Sequence, residues 1–283
     1  MTEITVQAVK SLRERTRAGM MECKRALIET GGDEEQAVDL LRQRGVAKAA
    51  ARSHRSATEG AVVTVQSEAG AVAMVAVSSE TDFVARNDTF RDFVTQVAVA
   101  VAEAELESGR VYTGDDLLAR PELAELERNL TDLRVSMGEN LQIRSGVRYL
   151  PAKESATGTY VHYGDKIGVV VELAGTEPTD AARGLARDVA MHVAAANPLE
   201  VRPEDIPEDE RERERAILVE QAKAEGKPEA IAEKIVEGRM RKYFEQSTLT
   251  EQAFVKDPDI KVGALVEQRV PGAQIKGFTR FEV

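Results

Sequence analysis

The chain has 283 residues, 42% apolar and 31% charged, a globular balance with room for more than one core. A formal net charge of −11 argues against general affinity for nucleic acid, and 4% aromatics with no tryptophan leave little for bases to stack on. Cys23 is the only cysteine, which excludes an internal disulfide and a thiolate metal cluster.

In chain order, residues 1 to about 56 read as three short helices. Val6, Val9 and Leu12 recur at helical spacing, as do Met20, Cys23 and Leu27. Gly31-Gly32 is a stop for the second helix. Asp33 is a cap for a third, with Ala37, Leu40 and Leu41 inward and Gly45 as its end. The start, MTEITVQAVKSLRERT, lacks an apolar leader region, and no apolar run approaches the roughly 18 residues of a membrane helix. A cytoplasmic protein without a membrane role is expected. The basic tract from Arg42 to Arg55 reads as a solvated helix end and linker.

Two valine-rich hairpins follow, "GAVVTVQSEAGAVAMVAVS" and "GTYVHYGDKIGVVVELAG". They turn at Glu68-Ala69-Gly70 and at Gly164-Asp165, and each precedes an apolar helix. The first helix carries Phe90, Phe93, Val94, Val97, Ala98 and Val101 on one stripe behind an Asn87 or Asp88 cap. The second carries Leu185, Val189, His192, Val193 and Ala196. A two-lobed α+β core is the economical reading. Between the lobes a helical pattern runs from Asp115 to about Glu139, then a strand from Leu141 to Leu150. The expected boundaries are a helical module at 1–56, a first subdomain at 57–140 and a second at 141–283. The second contains a helical hairpin at about 204–246, joined at Gly226-Lys227-Pro228. A final strand is expected in "KGFTRFEV".

No phosphate loop, nucleophile elbow or metal-ligand spacing occurs, so neither a metal nor a cofactor is expected. The three histidines are scattered, and His192, on an apolar helix face, reads as a satisfied core histidine. What remains is "SSETDFVARNDTF", residues 78–90, a polar connection carrying Phe83 beside Asp82. Phe83 either folds back onto its own core or projects as an aromatic anchor for another protein.

Several blocks resemble the elongation factor Ts family: "LRERTRAGMMECKRAL" (12–27), "TDFVARND" (81–88), "MGENLQIR" (137–144), "MHVAAANP" (191–198) and "GKPEAIAEKIVEGRMRKYF" (226–244). The resemblance implies a ubiquitin-associated-like N-terminal module, a two-subdomain core and an inserted coiled-coil hairpin. It implies a guanine-nucleotide exchange factor, not an enzyme, for the GTPase elongation factor Tu in translation. Asp82 and Phe83 would wedge beside helices of the partner's nucleotide domain, displacing Mg²⁺ and loosening the phosphate site, with Thr81 and Val84 framing them. Met137 and His162 would line the same contact, and Arg13, Met20 and Met21 would dock the module on the partner. Two departures stand out: Arg17 occupies a position usually glycine, and the chain stops at "RFEV" where some members continue into a helical extension. The competing readings are a scaffold that binds without affecting nucleotide release and a hydrolase with an acidic site. The hairpin is a candidate homodimer surface, and sequence alone leaves the oligomeric state open.

Overall fold

The computed structural model describes residues 4–16, 18–150, 152–225 and 229–283, with the backbone alone at 229 and 230. Arg17 and the joint Gly226-Lys227-Pro228 lie outside the described residues. The N-terminal module is α1 (Val6–Thr16), α2 (Met20–Glu29) and α3 (Glu34–Ala50). The first lobe holds β1 (Glu59–Gln66), β2 (Val72–Ser79), α4 (Asp82–Ala85), α5 (Asp88–Glu103), β3 (Val111–Thr113), α6 (Gly114–Leu118), α7 (Ala124–Met137) and β4 (Gln142–Tyr149). The second holds β5 (Ser155–Val161), β6 (Ile167–Ala174), α8 (Asp180–Ala196), α9 (Glu208–Ala224) and α10 (Glu229–Ser247). It closes with β7 (Ala253–Phe254), β8 (Asp257–Lys261), α11 (Val262–Arg269) and β9 (Gln274–Glu282).

The fold is α+β, and its centre follows from the valine runs. A strand apolar on both faces must be covered on both faces. Every residue of β2 is buried. Ala73, Val75 and Val77 face Phe90, Phe93, Val94 and Val97 of α5. Val72, Met74 and Ala76 point the other way, into a layer shared with Val170 and Phe281 of the second sheet. β6 divides likewise: Val169 and Val171 pack with Leu185, Val189 and Val193 of α8, and Val170 faces the first lobe. The result is four layers, helix–sheet–sheet–helix. The sheets run β1-β2-β4-β3 and β5-β6-β9, every pairing antiparallel. Between them the Tyr149 and Thr279 hydroxyls meet at 2.8 Å.

The strand expected at 141–150 is β4, but it pairs with β2. It therefore belongs to the first lobe, which moves the boundary from 140/141 to about residue 150. The helix expected from Asp115 is broken at Pro121, where a short 3₁₀ turn separates α6 from α7. Proline has no N–H for the continuing helix.

The module's core is Val9, Leu12, Cys23, Ala26, Leu27, Ala37 and Leu41. Gly31 and Gly32 end α2 with positive φ of 63° and 92°, and Asp33 caps α3 by accepting the Gln36 N–H at 3.0 Å. Gly45 does not stop α3, which runs on to Ala50. A Cβ at Gly45 would stand 2.6 Å from the Val135 Cγ1 of α7. The glycine serves a close helix crossing that seats the module on the first lobe.

The helical hairpin is α9 and α10, packed through Leu218, Ala222 and Val236. Its base is closed by backbone bonds from Leu249 N–H to Glu200 O at 2.9 Å and Thr250 N–H to Val201 O at 3.0 Å. His192 is buried as expected. Its Nδ1 accepts the Val255 N–H at 3.1 Å, so the proton sits on Nε2, which donates to Gln252 Oε1 at 2.9 Å.

Candidate functional site

Phe83 stands on a turn that its neighbours hold down. After β2 the chain makes one helical turn, α4, and restarts as α5. Thr81 begins α4, its Oγ1 accepting the Val84 N–H at 3.4 Å. Asn87 begins α5, its Oδ1 accepting from Thr89 N at 2.9 Å and Phe90 N at 3.4 Å. Both are residue types that satisfy orphan N–H groups at helix starts. Val84 packs against the first-lobe core and Phe90 is fully buried. With both inward positions filled, Phe83 is left 83% exposed. Of the two orientations open from sequence, the projecting one is observed. Asp82 is half-buried beside it and pairs with Arg86 at 3.2 Å.

The turn's rigidity has a source that sequence reasoning missed. The Glu139 carboxylate accepts from Glu80 N at 3.0 Å, Thr81 N at 3.1 Å and Thr81 Oγ1 at 2.6 Å. Glu80 answers by accepting the Asn140 N–H at 2.6 Å. Hydrogen bonds to an ionised acceptor are roughly twice as strong as neutral ones. A recognisable signal was present: Gly138 is a left-handed helix stop with φ 72°, followed at once by an acid and an amide.

The remaining expected residues fall in two groups. Met137, at the end of α7, is half-buried against the first-lobe core, two residues before Glu139. His162 is exposed where β5 ends, and its Nδ1 meets the Tyr160 hydroxyl at 2.9 Å. The turn it opens is braced on the first lobe. Asp165 O accepts the Val62 N–H at 2.6 Å, the Asp165 carboxylate pairs with Arg91 of α5, and Lys166 pairs with Glu59 at 2.7 Å. Beside His162, Tyr163 is 98% exposed, a second projecting aromatic that sequence reasoning passed over. Arg91 lies one turn beyond the Asn87 cap, so this turn neighbours the start of α5. Arg13 on α1 and Met20 and Met21 on α2 are exposed on the helical module, in different elements from the Phe83 turn.

Among the described residues no cluster of three His, Cys, Asp or Glu is placed to hold a metal, and no helix is long and apolar enough to cross a membrane. A cleft of about 530 Å³ between the module and α7 contains Glu22 and Glu29. Glu22 is bonded to Lys48, which holds its carboxyl below the usual range, and Glu29 is paired with Arg44. A general acid needs a raised carboxyl instead.

The family description "Elongation factor TS" matches residues 80–283, a span that begins at the Phe83 turn. The chain belongs to the elongation factor Ts family. Curated relatives extend the likeness over the N-terminal module. Elongation factor Ts of Rhizobium etli (strain CIAT 652) is 43% identical over 287 residues, covering 98% of this chain and 90% of its own. That of Alkalilimnicola ehrlichii (strain ATCC BAA-1101 / DSM 17681 / MLHE-1) is 44% identical over 281 residues, covering 99% and 92%. Membership makes this chain a translation elongation factor.

Proposed function

We propose that this chain binds the GTPase elongation factor Tu and accelerates GDP release by inserting Phe83 beside the partner's nucleotide site. The observation that carries the reading is an aromatic ring 83% exposed on a turn held by three hydrogen bonds to one carboxylate. A large apolar side chain in water, fixed rather than collapsed, is suited to entering another protein.

Exchange makes and breaks no covalent bond. It is a coupling free energy: a factor that binds the nucleotide-free GTPase more tightly than the loaded form weakens nucleotide binding by the same ratio. Phosphates and Mg²⁺ are held by close oxygen contacts and tolerate little displacement. Burying one phenylalanine supplies about 1.5–3 kcal/mol, and about 1.4 kcal/mol is tenfold in affinity. Phe83 thus accounts for roughly tenfold to a hundredfold. The remainder falls to Asp82, the His162 turn and the module's Arg13, Met20 and Met21. Asp82 acts by position, because a half-exposed charge is screened within about 8–10 Å. Thr81 and Val84 act by framing: one starts the turn and the other roots it in the core.

The test is stopped-flow release of a fluorescent GDP from elongation factor Tu, with and without this protein. Acceleration is expected. Binding without acceleration would favour a scaffold.

A further inference from the structure

The segment just after α7 ties together two parts of the molecule that the exchange reading treats separately. Glu139 reaches forward to the Phe83 turn through its bonds to Glu80 and Thr81. Asn140 reaches back to the linker that follows α3. The residue is 98% removed from solvent, and its Nδ2 donates to Ser53 O at 3.1 Å and Arg55 O at 2.7 Å. The loop is closed by Arg55 Nη1, 3.4 Å from the Glu80 carboxylate whose other oxygen holds the Asn140 N–H. Linker, turn and hub form a ring of hydrogen bonds.

The hub is anchored at both ends. It lies between α7 and β4, both packed in the first lobe. The same α7 presents Val135, against which Gly45 seats the module. The module is therefore fixed twice on one short stretch of chain: by packing at Val135 and by hydrogen bonds at Asn140.

We propose that Glu139 and Asn140 are positioning residues that make the N-terminal module and the Phe83 turn one rigid unit, so that docking of either on the GTPase favours docking of the other. The proposal rests on the exchange reading above. Its physics is that of linked contacts: when two patches are held in a fixed relation, the second engages as an intramolecular event. A slack joint forfeits part of that gain, because the ordering must then be done on binding.

The test is a double-substitution cycle, read as the rate of fluorescent GDP release from elongation factor Tu. Met21→Ala removes an exposed side chain of the module and Phe83→Ala the exposed ring of the turn; neither is buried. With Asn140 intact, the double variant should lose less than the product of the two single losses, by about threefold or more. Asn140→Asp replaces the donating amide with an oxygen facing two carbonyls, and in that background the single losses should multiply. A merely structural role would lower the melting midpoint and scale every rate, leaving the discrepancy in place. Losses that multiply with Asn140 intact, or a discrepancy that survives Asn140→Asp, overturn the proposal. Should Asn140→Asp fail to fold, Glu139→Gln and Arg55→Ala weaken the ring at its other corners and must abolish the discrepancy instead. Failure of the exchange reading looks different: the unaltered protein would not accelerate release, or Phe83→Ala alone would change nothing, and either result sinks both.

Discussion

The two lobes share a central plan, and the link from hairpin to helix is one place where they part. Each has a hairpin, a helix across its outer face, and a third strand antiparallel to the second strand of the hairpin. Even the irregularities correspond, with a register shift in β2·β4 at Ala76/Val77 and in β6·β9 at Glu172/Leu173. In the first lobe, the link from hairpin to helix is anchored by the Glu139 side chain, which comes from just before the third strand. In the second, the matching link is held by its backbone, the Gly175 N–H donating to Glu154 O at 3.0 Å, just before β5, and it passes close to the main chain at Gly272. Gly175 has φ 75°, and a Cβ there would stand 2.6 Å from Gly272 O, just before β9. A side-chain tether leaves room for a helical turn that presents a ring. A glycine tether draws two backbones together and leaves Thr176-Glu177-Pro178-Thr179, with no aromatic residue. On the proposed reading the exchange wedge sits on only one of two similar lobes, and the two links differ in what holds them.

The contrast can be broken or sharpened by experiment. The largest effect is expected from Phe83→Ala, which should slow stimulated GDP release about tenfold to a hundredfold. The ring is exposed, so the melting midpoint should not move. Next comes Glu139→Ala, which leaves the Phe83 turn without its acceptor. Stimulated release should fall about tenfold, with a stability loss of about 1–3 kcal/mol in urea titration. In the second lobe, Gly175→Ala should destabilise by about 1–3 kcal/mol, because it combines positive φ with a backbone clash. Release measured below the melting transition should stay near normal, which would separate a structural tether from a functional one. Smaller still, Tyr163→Ala should raise the half-saturating concentration about threefold without affecting melting, consistent with an exposed contact at the edge of an interface.

The smallest effect concerns pH. Burial disfavours the His192 imidazolium and lowers its pKa below 6.5, with the Gln252 bond opposing in part. The unfolded chain therefore binds this proton more readily than the folded one. Its contribution to stability is full above about pH 6.5 and falls as pH drops below that, until the folded site itself protonates. Urea midpoints at pH 7.5 and 5.5 should show the decline, and His192→Gln should flatten it.

Legibility from sequence tracked the range of the interaction. The helix caps, at Asp33 and at Asn87 or its neighbour Asp88, act within three residues and were readable. The valine runs were readable because two-faced burial is written into composition. Phe83 was ambiguous because a phenylalanine is compatible with either orientation. The deciding fact was that Val84 and Phe90 already occupied the inward positions. Gly45 was misread because a glycine that ends a helix and one that admits a crossing helix look alike until the partner, Val135, is placed. Glu139 left only a local mark, its place after the Gly138 stop, because its acceptor oxygens serve residues 58 and 59 positions away. The boundary at 140/141 erred for the same reason: β4 returns to a sheet begun long before it.

One detail of the second lobe bears on how such a molecule can change over generations. Where the long excursion leaves at Glu200 and re-enters at Leu249, the two ends already touch through their main chains. The closure is made by the foot of the excursion, where Ser247 O also accepts the Leu199 N–H at 2.8 Å, and not by the arms beyond it. Arms could be lengthened, shortened or exchanged wholesale, and the compact body beneath would register little more than a different connecting turn.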